Sequence, residues 1–80
     1  MFLRDFYIVV ASLPDREDLV AEICYKGHQW AEISRETGEK MIAQFYSHPQ
    51  QKYWEFPLDE ALGALEQAKK KLLAVGDKRD

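Results

Sequence analysis

Eighty residues make one domain, and a chain of this length buries only about 60–65% of the surface that its unfolded form exposes. The hydrophobic share of 46% and the charged share of 31% are those of an ordinary globular protein, which excludes a largely disordered chain. A formal charge of −3 argues against a nucleic-acid-binding protein, because such proteins normally carry a basic stripe.

The apolar segments and the single cysteine indicate the cellular compartment of the protein. No apolar run reaches the roughly 18 residues of a membrane-spanning helix. The apolar stretch from Phe6 to Ala11 follows Asp5 and precedes a polar segment, so it is a poor signal peptide. Cys24 has no partner for an internal disulfide, which is typical of a reducing compartment. The sequence therefore predicts a cytoplasmic protein that does not enter the membrane.

The first elements along the chain are predicted strands. A strand is predicted over 5–11, because Phe6 to Val10 are all β-branched or aromatic, a composition that is typical of strands. A polar loop that contains Pro14 follows, and the next strand is predicted over 19–25. A helix that begins at Pro14 is the alternative. We favour the strand because the following thirty residues have the pattern of hairpins.

A short internal repeat sets the register of the first hairpin. The residues Ala-Glu-Ile at 21–23 recur at 31–33, with Lys-Gly-His at 26–28 between them. If residues 26–28 are the loop, Glu22 lies opposite Glu32, and the next strand covers 29–35.

The second hairpin has a clearer turn signal. Residues 36–38 are Glu-Thr-Gly, which suits a three-residue loop whose third position is left-handed and prefers glycine. This register predicts a strand over 39–47 and places Ile33 opposite Met41. A fifth short strand over 53–56 is left open.

The last long segment, 57–74, has the strongest period in the chain. Pro57 suits the first helical turn, and Gly76 stands where a helix is expected to stop, before a frayed tail over 76–80. The apolar residues recur at three- and four-residue steps on one helix face: Leu58, Ala61, Leu62, Leu65, Ala68, Leu72 and Leu73. The predicted fold is α+β, an antiparallel meander of four to five strands with one C-terminal α-helix packed on one face.

Alternation along the strands sorts the sheet residues onto two faces. The face toward the helix is the predicted core, and its alanines permit a close approach by the helix. It contains Ala21, Ile23, Ala31, Ile33, Met41, Ala43 and Phe45. The outer face contains Val20, Glu22, Cys24, Trp30, Glu32, Ser34, Ile42, Gln44 and Tyr46.

Few residues suit catalysis or metal binding. Cys24 has no evident base beside it, and His28 and His48 lack the closely spaced companions of a metal site. The paired glutamates have the spacing of about 5 Å that a retaining glycosidase uses, but a flat sheet offers no deep cleft around them. The sequence therefore predicts a protein that is not an enzyme and has no cofactor and no metal.

The outer face is the predicted partner-binding surface. Glu22 and Glu32 repel mildly as cross-strand neighbours, and Trp and Tyr are enriched at interfaces. Paired glutamates beside such aromatic residues suit a cationic partner. The predicted site residues are Glu22, Trp30, Glu32, Gln44, Tyr46 and Trp54. The alternative is that the N-terminal strand or residues 47–56 fold over this patch and the glutamates are simply solvated.

From Ala21 onward, about two-thirds of the chain resembles a family of very small bacterial proteins. The segments that carry the resemblance are Ala21-Glu22-Ile23, Gln29-Trp30-Ala31-Glu32-Ile33, Gln44-Phe45-Tyr46 and Trp54-Glu55-Phe56-Pro57-Leu58-Asp59-Glu60-Ala61-Leu62. The chain resembles the immunity proteins that protect bacteria from contact-delivered polymorphic toxins.

The resemblance implies a cytoplasmic, non-catalytic protein that binds the C-terminal domain of a toxin, often a nuclease, and blocks its active site. No toxin-contact residue is carried over from it. The expected partner is a basic toxin domain, not a nucleic acid or a membrane, and the oligomeric state is left open. The alternative function is a general interaction or regulatory module that pairs with itself or with an unrelated partner.

Overall fold

The computed structural model describes residues 5–12, 19–37 and 40–76. Within these ranges the elements are β1 (Phe6–Ala11), β2 (Val20–Tyr25), β3 (His28–Thr37), β4 (Lys40–Phe45) and α1 (Leu58–Gly76). The strands form one antiparallel sheet in the order β1-β2-β3-β4. The predicted α+β fold is therefore confirmed, with four strands in the described part of the chain.

Three predictions concern segments at the ends of these elements. Residues 53–56 form no strand, so the fifth strand that was left open is not there. The predicted β2 strand is present, whereas the alternative helix start at Pro14 lies outside the described residues. Of the predicted frayed tail over 76–80, Gly76 belongs to α1, which contradicts the prediction at that residue, and residues 77–80 lie outside the described residues.

The turn between β2 and β3 is shorter than predicted. It contains two residues, Lys26 and Gly27, whose φ angles are 50° and 87°. Two positive φ angles are typical of a type I′ hairpin turn, which matches the twist of the strands it joins. His28 belongs to β3 and pairs with Tyr25, so the predicted three-residue loop is wrong.

A β-bulge in β3 restores the predicted pairing beyond that turn. Cys24 pairs with Gln29, whereas Ile23 pairs with Ala31, which leaves Trp30 as the extra residue of β3. Glu22 therefore faces Glu32, as the internal repeat predicts. The shorter turn and the bulge change the register by one residue each, in opposite directions, and the two changes cancel.

The bulge also decides where Trp30 points. Its ring lies 5.7 Å from Phe6, 5.4 Å from Phe45 and 4.8 Å from Phe56, all between ring centroids. Phe6 belongs to the buried core beneath α1, so Trp30 lies on the helix side of the sheet. The prediction that Trp30 lies on the outer face is wrong, because the extra residue interrupts the strict alternation of side chains.

The pairing of β3 with β4 differs from the predicted register by two residues. Ile33 pairs with Ala43 instead of Met41. Because the shift is an even number of residues, each side chain of β4 keeps its predicted face.

The shift arises because β3 is longer than predicted. Thr37 pairs with Lys40 and so belongs to β3, which contradicts the three-residue loop over 36–38. Gly38, the expected left-handed residue, lies outside the described residues. A second irregularity in β3, between Ser34 and Thr37, accommodates the change of register.

The core lies between α1 and the first three strands. The helix buries a stripe of mostly small residues on a sheet surface that is also rich in alanine, so the two backbones approach closely, as predicted. The buried helix residues are Ala61, Ala64, Ala68 and Leu72, and the buried sheet residues beneath them include Phe6, Ala21, Ile23, Ala31 and Ile33.

The fourth strand is not part of that core. α1 packs on β1, β2 and β3, and its backbone does not approach β4. Ala43 and Phe45 are accordingly exposed, and Met41 is only half-buried. The prediction that Ala43 and Phe45 are core residues is wrong, because the helix covers only part of the face to which they belong. Met41 is half-buried and packs against the edge of the core.

Candidate partner-binding surfaces

Four of the six predicted site residues lie together on the outer face. Glu22, Glu32 and Gln44 are cross-strand neighbours on β2, β3 and β4. Tyr46 follows β4, and its hydroxyl donates a hydrogen bond of 2.9 Å to Oε1 of Glu32. The predicted glutamate pair is therefore present, with a tyrosine attached to it.

The pair is less open to a partner than the sequence predicts. Glu32 is only 2% exposed, and its neighbour on the same face of β3, Ser34, is also buried. Glu22 is half-buried. A partner that approaches the outer face therefore meets Glu22, Gln44 and Tyr46, while Glu32 stabilises the orientation of Tyr46 through their hydrogen bond.

The two tryptophans do not join this surface. Trp30 lies on the opposite side of the sheet, in contact with the core. Trp54 lies beyond the end of β4, where its Nε1 donates a hydrogen bond of 2.8 Å to the carbonyl oxygen of Tyr46. Its ring packs on His48, with 4.5 Å between the centroids. The predicted aromatic patch of the outer face is therefore reduced to tyrosines.

At the other edge of the outer face, Tyr7 pairs with Cys24. A side-chain hydrogen bond with Cys24 is the leading cause that raises the pKa of Tyr7 above its ordinary value. An electrostatic interaction with the same side chain raises this pKa further. Burial and the nearby Glu22 act in the same direction, more weakly. Each cause disfavours the phenolate, so Tyr7 presents a neutral hydroxyl to solvent at physiological pH.

A polar pocket of about 220 Å³ lies at the end of the sheet, near the β2–β3 turn. The rings of His28 and His48 line it, 5.2 Å apart between centroids. Nδ1 of His48 accepts hydrogen bonds from the backbone N–H groups of Gln50 and Gln51, at 3.0 and 3.1 Å. His48 therefore holds the turn that follows β4. The described residues contain no cluster of three or more side chains suited to a metal ion.

A mainly apolar opening lies between α1 and β4, and we call it the β4 groove. It has a volume of about 450 Å³. The sheet residues that line its floor are Ile33, Met41, Ile42, Ala43 and Phe45, and the α1 residues that line its wall are Leu62, Leu65, Glu66 and Lys69. Phe45 is 57% exposed and Leu62 is 55% exposed.

The wall of the groove is a second apolar stripe on α1. The buried stripe recurs at Ala61, Ala64, Ala68 and Leu72. A parallel stripe recurs at positions 58, 62, 65, 69 and 73, and only Lys69 interrupts its leucines. Leu58 is 70% exposed, and Leu62 and Leu73 are exposed as well. The sequence prediction merged these two stripes into one face.

Sequence reasoning missed the β4 groove, although part of the signal was present. A helix that contacts one sheet needs an apolar arc of a little over 100°. The apolar residues of 57–74 span nearly twice that arc, because alanines and leucines fall on adjacent stripes. The excess width indicates a second contact surface on the helix. Which strand lies beside that surface is not visible in the sequence.

Comparison with protein-family models, with curated proteins and with solved structures gives no match. Among the described residues, no helix has both the length and the apolar character that a membrane crossing needs.

Proposed function

We propose that this protein is a non-catalytic binding domain that holds a partner protein on the β4 groove. The observation that carries the proposal is the half-covered sheet: the side of β4 that faces the helix layer carries Met41, Ala43 and Phe45, but α1 does not lie over it. Large contiguous apolar patches are uncommon on soluble monomers and typically mark interaction sites.

The magnitude of the available burial supports this role. Complete burial of a Leu or Phe side chain contributes about 1.5–3 kcal/mol, and Leu58, Leu62 and Phe45 are each more than half exposed. Covering these three side chains would contribute roughly 3–5 kcal/mol before the cost of association. A few apolar anchors of this size are typical of the centre of a protein interface.

Site-specific photocrosslinking in the native host tests the proposal. A photoreactive phenylalanine analogue replaces Phe45 in one variant and Tyr53 in a matched control, since Tyr53 is 67% exposed and does not line the groove. We expect a discrete crosslinked partner from position 45 that is absent from position 53 and is lost when Leu62→Glu is added. Equal crosslinking from both positions, or none from position 45, would contradict the proposal.

Toxin neutralisation is the second candidate function, and the outer face supports it. Glu22 lies beside the exposed side chains of Tyr7 and Val9, which gives an acidic surface with apolar neighbours. A basic toxin domain suits such a surface, because opposite charges steer association. The resemblance to immunity proteins implies this class of partner. In that case the β4 groove is either a second contact surface for the toxin domain or takes no part in binding it.

The two candidates differ in where binding is lost. If a toxin domain encoded beside this gene binds on the outer face, Glu22→Gln should slow its association and weaken the salt dependence, whereas Leu62→Glu should have little effect. Stopped-flow kinetics of the purified pair at two salt concentrations measure the association rate, and titration calorimetry measures the affinity of each variant. The opposite result, with binding lost only in Leu62→Glu, assigns the partner to the β4 groove.

A further inference from the structure

We infer that the β4 groove accepts one amphipathic helix of a partner protein, which lies beside α1 and above β4. The inference rests on the proposed binding function and names the partner's secondary structure and charge. Four strands spaced about 4.8 Å apart make a surface roughly 19 Å wide, and one helix with its side chains is about 10 Å wide. The described sheet therefore has room for two helices, and α1 is one of them.

The position of α1 leaves the right space for the second helix. α1 packs mainly on β1 and β2, with its remaining contact on β3. β4 lies two strands away from β2, which is about 10 Å across the sheet. Packed helices are 8–10 Å apart between their axes. A helix directly above β4 would therefore contact both the sheet and the side of α1.

The exposed stripe of α1 has the spacing of a helix–helix contact. Its residues, at positions 58, 62, 65, 69 and 73, are separated by steps of four, three, four and four. Steps of three and four keep one stripe in contact with a neighbouring helix over several turns. From Leu58 to Leu73 the stripe extends about 22 Å, and β4 extends about 20 Å. A partner helix of about 14 residues matches both lengths.

A partner strand does not satisfy the same surface. A strand added to the open edge of β4 would lie in the plane of the sheet, about 10 Å below the layer that α1 occupies. It would leave Leu58 and Leu62 exposed. A helix at the level of α1 covers these leucines and Phe45 together, and the small side chain of Ala43 in the floor permits a close approach of its backbone.

A second copy of this chain is also a poor occupant. To cover Phe45 of one copy, α1 of another would present the face that points away from its own sheet. That face carries Asp59, Glu66 and Lys70, all of them exposed and charged. Burial of these charges against apolar residues is unfavourable.

The charges of the groove indicate the charges of its occupant. Lys69 interrupts the leucine stripe, and Glu66 lies one turn before it at the edge of the wall. The stem of a lysine packs on apolar surface while its ammonium group reaches the rim. A partner helix that carries a carboxylate opposite Lys69 would form an ion pair there, and this pair would fix the position of the helix along the groove.

The test uses a designed peptide, because the partner is unidentified. A 16-residue stapled helical peptide carries leucines at steps of three and four and one glutamate placed to face Lys69. Methyl NMR of the full chain follows Met41, Ala43 and Leu62 during titration to about 1 mM, a concentration that detects weak specific binding. We expect shifts of these methyl groups, and we expect Leu62→Glu to weaken binding at least tenfold. Tyr53→Glu, outside the groove, should bind as the parent does.

A charge-reversal experiment distinguishes specific binding from nonspecific hydrophobic association. The Lys69→Glu variant should bind the glutamate-bearing peptide about threefold to tenfold more weakly than the parent protein does. It should bind the matching lysine-bearing peptide more tightly than the parent does. A control peptide of the same composition, with leucines alternating as in a strand, should not bind. Equal affinity of both helical peptides for both proteins would overturn the assigned charge.

The remaining outcomes distinguish this inference from the proposed function. If only the strand peptide binds and it shifts the backbone amides of β4, the groove binds a strand and the inference fails, while the binding function stands. If no peptide binds and the chain self-associates through Leu62 in sedimentation experiments, the occupant is a second copy, and the inference fails again. If no peptide binds and position 45 gives no specific crosslink, both the inference and the proposed function are wrong.

Discussion

The two halves of the sheet's helix-facing side are built from similar residues and have opposite surroundings. Under α1, Ala21, Ile23 and Ala31 are fully buried. On β4, two strands away from β2, Ala43 and Phe45 of the same face are exposed. Both halves alternate in the same way and belong to the same sheet. The difference is the element above them, since one helix is only about half as wide as four strands.

The covered half stabilises the fold, and the open half leaves apolar side chains exposed. In the covered half, tight contact between small residues of α1 and the strands contributes to folding. In the open half, Ala43 and Phe45 of β4 remain exposed. The following predictions test this contrast.

The largest effect is expected for Trp30→Ala. Trp30 is buried among Phe6, Phe45 and Phe56, and removal of such a ring costs about 3–5 kcal/mol. The total stability of a small domain is about 5–10 kcal/mol, so much of it would be lost. Chemical denaturation measures the change, with Tyr53→Ala as the exposed control, expected within about 0.5 kcal/mol of the parent. Equal stability of both variants would show that Trp30 is not packed on the helix side.

A matched pair of leucines on α1 compares the two halves directly. Leu72 is 1% exposed and belongs to the buried stripe, so Leu72→Ala should cost about 2–5 kcal/mol. Leu62 belongs to the exposed stripe, so Leu62→Ala should cost about 1 kcal/mol or less. Thermal melts of the two variants provide the measurement. A large loss for Leu62→Ala would mean that something already covers the β4 groove in the free protein.

The hydrogen bond between Tyr46 and Glu32 provides a smaller test on the outer face. Tyr46→Phe removes the hydroxyl that donates to the buried carboxylate, which should cost about 1–3 kcal/mol. Tyr53→Phe is the matched control and should have no effect, because Tyr53 is exposed. Urea unfolding of both variants measures the change in the free energy of unfolding. If Tyr46→Phe is as stable as the parent, the hydrogen bond does not stabilise the folded state.

The smallest effect concerns the ionisation of Tyr7. Because Cys24 is the leading cause of the raised pKa, Cys24→Ala should lower the pKa of Tyr7 toward its ordinary value. Ultraviolet titration of tyrosinate, with Tyr7→Phe to identify the transition, measures the shift. A pKa raised in the folded state means that this contribution to stability is present below the unfolded pKa and is lost as the pH rises through the folded one. An unchanged transition in Cys24→Ala would rule out the hydrogen bond.

Sequence reasoning predicted the regular parts of the fold well. The helix predicted over 57–74 follows from periodicity, and the strands predicted over 5–11, 19–25 and 39–47 follow from residue composition, a short repeat and a turn signal. All of these are local properties of the chain. The pairing of Glu22 with Glu32 followed from the repeat of Ala-Glu-Ile. It was correct although the turn was one residue shorter than predicted, because the bulge at Trp30 compensated.

The candidate site was predicted only in part. Glu22, Gln44 and Tyr46 lie together on the outer face as expected, whereas Glu32 is buried and Trp30 is on the other side. A single bulge changes the face of the sheet on which a side chain lies. The residues around Trp30 do not predict it, because a bulge depends on how two strands pair and not on the pattern of one strand alone.

Which residues alternate along a strand and which recur on a helix face can be read from the amino-acid sequence, because these patterns depend on backbone geometry within a few residues. Which apolar positions are buried depends on tertiary contacts. Phe45 and Ile23 have the same kind of pattern around them, and their environments differ because α1 lies above one and not above the other. Where a helix lies on a sheet depends on contacts between residues that are far apart in the chain, and no local period contains that information.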